Sequence, residues 1–94
     1  MNRDEFIEAW FINLEKALYL SNEARRYGLL SLEEELANLE NDKPDILKIG
    51  LRLALDGTDY DMIAKILSNI VNREKDEYLY LLKMTKKETV LMIQ

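Results

Sequence analysis

Apolar side chains recur at intervals of three and four residues along most of this chain, and that spacing constrains the fold more than any other feature. Side chains at this spacing share one face of an α-helix. Only three Gly and one Pro occur in the 94 residues, and both residue types disfavour helix interiors. The sequence therefore predicts an all-α fold. The first apolar run sets the pattern, with Phe6, Ile7, Trp10, Phe11, Leu14, Ala17 and Leu18.

The residues at the ends of the apolar runs predict where the first two helices begin and end. The first helix begins at polar capping residues near positions 2–4 and ends near Gly28, a residue suited to the left-handed conformation that closes helices. Ser31 and Glu34 have the spacing of a capping box at the start of a second helix. The apolar side of that helix consists of Leu32, Leu36 and Leu39.

Two or three further helices follow, which gives a small bundle of four or five short helices in a single domain, residues 1–94. After a stop at residues 41–43, Pro44 suits the first turn of a third helix that ends near Leu55. Residues 56–59, Asp-Gly-Thr-Asp, close that helix and open a fourth. The mixed charges at residues 73–77 predict a solvated surface. Beyond them, Thr85 and Glu88 are spaced to cap a last short helix.

Composition argues against several classes of function. The chain contains no Cys and no His, which removes disulfides, thiolate ligands, the usual general base and the commonest transition-metal ligand. We therefore predict no cofactor and do not expect an enzyme. A net charge of −5 opposes nucleic-acid binding, which needs clustered Lys and Arg.

No part of the sequence predicts a membrane span or a secretion signal. A spanning helix needs about 20 consecutive apolar residues, and the uncharged runs here are far shorter. Asp4 and Glu5 are unlike the positively charged start of a signal peptide. We therefore expect a cytoplasmic protein.

Two clusters of acidic residues have both a functional and a structural interpretation. Residues 56–61 offer several oxygen ligands for Ca²⁺, yet they lack the spacing and distal Glu of an EF-hand loop. Two helix ends that share a tight turn explain every residue in this cluster. Carboxylate pairs such as Glu33 with Glu35, or Glu34 with Asp42, could serve acid–base chemistry, whereas a solvated helix face is the commoner role of a run of three Glu. No metal site and no catalytic residue is predicted.

A positive and a negative pair of residues flank the turn at Gly28. Arg25 and Arg26 precede the turn, and Glu33 and Glu34 follow it. Charges of both signs would orient a complementary partner, with more effect on steering and register than on affinity. The alternatives are an internal salt bridge or simple solubility. We predict a partner-binding site at these four residues.

Residues 23–59 resemble the cytoplasmic segment of flagellar stator proteins of the MotA family. The blocks that carry the resemblance are ARRYGLLSLEEEL, a Pro-containing segment and DGTD. In that family, an Arg three residues before the Gly and a Glu five residues after it are implicated in electrostatic contact with the rotor protein FliG. The resemblance assigns these roles to Arg25 and Glu33. It covers about residues 17–75 and includes no membrane helices, so it does not imply torque generation by ion flow.

The resemblance implies a non-catalytic module that binds a flagellar rotor or stator component. The alternative is a structural oligomerisation or scaffold domain that keeps the stator-like helices and has no rotor contact. Small helical units often complete their cores by pairing. Trp10 and Phe11 are predicted to lie in the core or in an oligomer interface. Together with the apolar C-terminal residues, they favour a homodimer or a higher oligomer.

Overall fold

The computed structural model describes residues 1–39 and 45–94. These residues form five α-helices and one short 3₁₀ helix, with no strand among them. The all-α prediction is confirmed. The α-helices are α1 (Arg3–Tyr27), α2 (Glu33–Leu39), α3 (Ile46–Leu55), α4 (Tyr60–Asn72) and α5 (Glu77–Ile93), and the 3₁₀ helix is Leu29–Leu32.

One apolar core lies between the helices, because each helix turns part of its apolar stripe inward. α5 packs against α1, α3 and α4, and the 3₁₀ helix packs against α1. α3 is the most deeply placed helix, with half of its residues buried. The side chains at the centre of the core are Leu20, Leu32, Leu36, Leu51, Ile63, Leu67, Val71 and Val90.

The first helix begins and ends where its polar and glycine residues predict. The Asn2 side chain accepts a hydrogen bond from the Glu5 backbone N–H at 2.8 Å, and the Glu5 side chain accepts one from the Asn2 N–H at 3.2 Å. This reciprocal pair is a capping box. Gly28 follows α1 with φ 87° and ψ 165°. Its positive φ fits the predicted glycine, although its ψ lies far from the left-handed helical value that was expected.

The turn between α3 and α4 confirms that residues 56–59 close one helix and open the next. Gly57 has φ +81°. Its N–H donates to the Ala54 carbonyl at 3.1 Å, and the Thr58 N–H donates to the Leu53 carbonyl at 3.0 Å. This pair of bonds is the Schellman motif, which satisfies the last carbonyl groups of a helix. Asp59 then precedes α4 without a capping side-chain bond.

Two predicted capping residues lie inside helices. Ser31 is part of the 3₁₀ helix, and its hydroxyl donates to the Gly28 carbonyl at 2.7 Å, so the predicted capping box with Glu34 is wrong. The predicted short last helix is also wrong, because Thr85 and Glu88 lie within the continuous helix α5. The residue that caps α5 is Asp76, whose carboxylate accepts from the Leu79 N–H at 2.9 Å.

The charged run at residues 73–77 is only partly a solvated surface. Glu74 is half-buried and forms an ion pair with Lys83 of α5 at 2.6 Å. Its carboxylate also accepts from the backbone N–H groups of Lys75 and Asp76 at 3.0 and 3.1 Å. The run is therefore a turn fixed by Glu74. Pro44 and the predicted stop at residues 41–43 lie outside the residues that the structure describes. For Leu39, whose side chain was predicted to point inward, only the helical backbone is described.

The aromatic residues of α1 have different environments. Phe6 stacks on Tyr78 of α5 with ring centroids 4.8 Å apart, and it contacts Trp10 at 5.7 Å. Trp10 is half-buried, whereas 59% of Phe11 is exposed. Of the two predicted places for Phe11, the core is therefore excluded, and an oligomer interface stays a prediction. Within residues 1–39 and 45–94, no helix combines the length and apolar character needed to cross a membrane.

Candidate functional site

The four predicted site residues flank a tight corner between α1 and α2. Arg25 and Arg26 lie in the last turn of α1, and Glu33 and Glu34 lie in the first turn of α2. Gly28 and the 3₁₀ helix connect the two turns. All four side chains are exposed. We call these four residues the corner surface.

Contacts across the corner hold α2 against α1. The Ser31 hydroxyl lies 3.3 Å from the Glu23 carbonyl oxygen of α1. The Tyr19 hydroxyl donates to the Glu35 carboxylate of α2 at 2.8 Å. Beneath these bonds, Leu32 and Leu36 are buried in the core. The corner surface is therefore carried by a backbone that is fixed both by polar contacts and by core packing.

Each charged pair of the corner surface suits the helix end on which it lies. A helix C-terminus carries partial negative charge, and a helix N-terminus carries partial positive charge. The two arginines at the end of α1 and the glutamates at the start of α2 match these signs. Such placements stabilise an exposed helix end by about 0.3–1 kcal/mol. They leave the charged ends of the side chains free for other contacts.

Internal pairing does not account for the charges of the corner surface. Neither arginine forms an ion pair with Glu33 or Glu34 among the described residues. Ion pairs elsewhere include Lys83–Glu74 at 2.6 Å, Lys86–Asp45 at 3.0 Å and Lys87–Glu88 at 3.5 Å. The alternative of an internal salt bridge between these predicted site residues is therefore excluded for the described structure.

The corner surface has two sides, because neighbouring residues on a helix point about 100° apart. Arg25 lines an open groove of about 460 Å³ between α1 and α5, together with Leu18 and Met92. Arg26 follows Tyr19 by seven residues and so shares its face of α1, on the side of α2. The structure thus brings Arg26 to the α2 side and directs Arg25 toward α5.

Carboxylates gather on the α2 side of the corner, around Tyr19. The pKa of Tyr19 is raised, chiefly because its hydroxyl donates to Glu35. Burial and the negative charges of Glu35, Glu23 and Glu34 add to this effect. The tyrosine therefore stays protonated and keeps its hydrogen bond across the neutral pH range. Its role at the corner is that of a hydrogen-bond donor.

The bond between Tyr19 and Glu35 was missed by reasoning from the sequence. These residues are sixteen positions apart and belong to different helices. Helical periodicity relates residues three, four or seven positions apart, so it carries no signal for this pair. The spacing of Ser31 to Glu34 predicts a local capping box and carries no signal for the contact with Glu23. That contact depends on how the chain turns back after Gly28.

Comparison with known proteins gives one partial similarity. No protein-family model matches the chain, and no solved structure matches it. The chain is 34% identical over 59 residues to Motility protein A of Treponema pallidum (strain Nichols). The matched stretch is 63% of this chain and spans only 22% of the length of that protein. The chain is therefore distantly and partially similar to Motility protein A.

Proposed function

We propose that this chain is a non-catalytic cytoplasmic interaction module of flagellar motility. It binds a component of the motor, the rotor protein FliG being the first candidate, through the corner surface. The observation that carries this proposal is the set of four exposed charges on a fixed backbone, with no ion pair between the arginines and the glutamates in the described structure.

Three further findings support the proposal. The partial similarity to Motility protein A supports the motility context. The resemblance of residues 23–59 to the stator segment assigns contact roles to Arg25 and Glu33, and both positions carry the expected charge. The two sides of the corner also give a partner two points of recognition, a cation beside an apolar groove and a cluster of carboxylates around Tyr19. Such charges steer association and fix the orientation of the partner.

The second candidate function is a structural oligomerisation domain without rotor contact. It is favoured by large apolar side chains left exposed on α1, where Phe11 is 59% and Leu18 is 68% exposed. A protein of this kind would self-associate and would bind no motor component. The two candidates therefore differ in whether the chain binds a motor component, which can be measured.

Binding to purified FliG separates the two candidates. The chain is immobilised through its N-terminus, and association is recorded at low and at raised salt. The proposal predicts saturable binding that weakens as salt increases, because exposed charges are screened within about 8–10 Å at physiological ionic strength. Capture from a lysate of motile cells then shows whether FliG is retained among the other motor proteins. Self-association without any bound motor protein would favour the second candidate and contradict the first.

A further inference from the structure

The outer face of α1 carries a regular stripe of exposed apolar side chains, which extends well beyond the groove beside Arg25. Ile7, Phe11, Leu14 and Leu18 are 40%, 59%, 43% and 68% exposed. Their spacing of four, three and four residues is the heptad spacing of a seam between packed helices. We call these four residues the α1 seam. The eleven steps from Ile7 to Leu18 make the seam about 17 Å long, given 1.5 Å of rise per residue.

The α1 seam borders α5, and the two helices form open apolar grooves between them. One groove, of about 420 Å³, is lined by Ile7 and Phe11 together with Leu81 of α5. The other, of about 460 Å³, is lined by Leu14 and Leu18 together with Met92, which is itself 67% exposed. Contiguous apolar surface of this kind on a small protein marks an interaction site more often than isolated exposed leucines do.

Charges at the two ends of α1 indicate what covers the seam. The first turn contains Arg3 as well as Asp4 and Glu5, and the Glu5 side chain is bound in the Asn2 cap. Asp4 and Arg25 continue the heptad spacing of the seam beyond its two ends. A parallel copy of α1 would bring each of these two charges beside its own copy. An antiparallel copy brings Asp4 toward Arg25 of the second copy, so the seam and these two charges are self-complementary in the antiparallel orientation.

We propose that two copies of this chain pair through the α1 seam in an antiparallel orientation, about a twofold axis. In the register that places Ile7 opposite Leu18 and Phe11 opposite Leu14, Asp4 lies opposite position 21 of the second copy, one helical turn from Arg25 and within reach of its long side chain. A twofold axis repeats this contact at both ends of the interface. The two α1–α5 pairs then form a four-helix layer with the seam at its centre. Because Arg25 lies at the edge of this interface, pairing and motor binding draw on the same side chain and compete.

Sedimentation equilibrium of the full chain tests the pairing. The wild-type protein should reach twice its chain mass of 11.1 kDa between micromolar and millimolar concentration. Phe11→Ser and Leu18→Ser should each raise the dimer dissociation constant at least about tenfold. Leu30→Ser is the matched control, because Leu30 is 73% exposed in the 3₁₀ helix and lies outside the seam. Circular dichroism confirms that each variant keeps its helices.

Exchanging the charges at the two ends of α1 tests whether the two copies pair in the antiparallel orientation. Asp4→Arg alone and Arg25→Asp alone should each weaken the dimer, and the two changes in one chain should restore it. A wild-type monomer throughout this range would overturn the proposal. The proposal would also be overturned if neither Phe11→Ser nor Leu18→Ser raised the dimer dissociation constant, or if the combined exchange of the end charges failed to restore it. Binding of the wild-type monomer to phospholipid vesicles in place of pairing would also overturn it. None of these outcomes depends on binding to FliG, so the proposed function is tested separately.

Discussion

Gly50 of α3 and Val90 of α5 lie so close together that only a residue without a side chain fits at position 50. A Cβ atom there would lie 2.6 Å from Cγ2 and 2.9 Å from Cγ1 of Val90. Val90 is fully buried and β-branched, so its methyl groups have little freedom to move aside. Gly50 therefore sets the distance between α3 and α5.

Gly50→Ala should lower the free energy of unfolding. Alanine favours a helix interior over glycine by about 1 kcal/mol, but overpacking of a filled core costs about 1–3 kcal/mol. We expect the packing cost to exceed the gain in propensity. Urea unfolding measures the change. Val90→Ala in the Gly50→Ala background should recover part of the loss, and a single variant as stable as the wild type would contradict the close packing.

Gly57→Ala should also destabilise the protein, although for a different reason. Nothing lies within 4 Å of a Cβ at this position, so the cost comes from the backbone alone. A side chain at a φ of +81° costs about 1–2 kcal/mol in the left-handed region. Gly57→Asn should cost less, since asparagine tolerates this conformation. Equal unfolding midpoints for the two variants would contradict the conformational origin of the effect.

Ser21→Ala should stabilise the fold. The Ser21 hydroxyl is buried and has no hydrogen-bond partner among the described residues. Removing a buried unsatisfied polar group recovers about 1 kcal/mol or more, and alanine is the better helix former. Thermal unfolding should show a higher midpoint. Asp76→Ala provides a contrast of opposite sign, because it removes the carboxylate that caps α5 at a cost of about 1 kcal/mol.

The free energy of unfolding should fall in acid, in part because the Glu74 carboxylate becomes protonated. The pKa of Glu74 is lowered, first by its bond to Lys83 and then by the backbone N–H of Asp76. A carboxyl group whose pKa is lower in the folded state stabilises the fold above its unfolded pKa of about 4.3. That contribution is lost as the pH falls from this value through the folded pKa. Measured by urea unfolding across this pH range, the free energy of unfolding should fall more steeply for the wild type than for Glu74→Gln. Parallel pH profiles for the two proteins would contradict the role of Glu74.

Features set by local chemistry could be predicted from the sequence. The start of α1 at Asn2 and the turn at Gly57 depend on residues within one helical turn of each other, where capping and backbone preferences act directly. Ser31 and Thr85 had equally good local patterns, and both predictions failed. In α5, Leu82 and Val90 are buried on either side of Thr85, so core packing keeps the helix continuous through a residue that could have started a new one.

Long-range contacts could not be predicted. The close approach of Gly50 to Val90 and the bond from Tyr19 to Glu35 both join different helices, and nothing in the spacing of these residues relates them. The corner surface was predicted from the charge pattern and the resemblance. Its four residues are exposed, and its role as a partner site stays a prediction. Helix geometry alone places Arg25 and Arg26 on different faces of α1. Which helix each face meets, α5 or α2, depends on the tertiary fold and could not be predicted.

Titration of FliG into a charge-exchanged variant tests the corner surface most directly. Arg25→Glu with Glu33→Lys reverses both positions, and the two changes cancel so that the net charge stays at −5. Asp61→Lys with Lys65→Glu makes the same exchange on exposed residues of α4. We expect the corner variant to raise the dissociation constant at least about tenfold, equivalent to about 1.4 kcal/mol, and the α4 variant to bind as the wild type does. Equal affinity of the folded corner variant and the wild type would contradict a partner site at this corner.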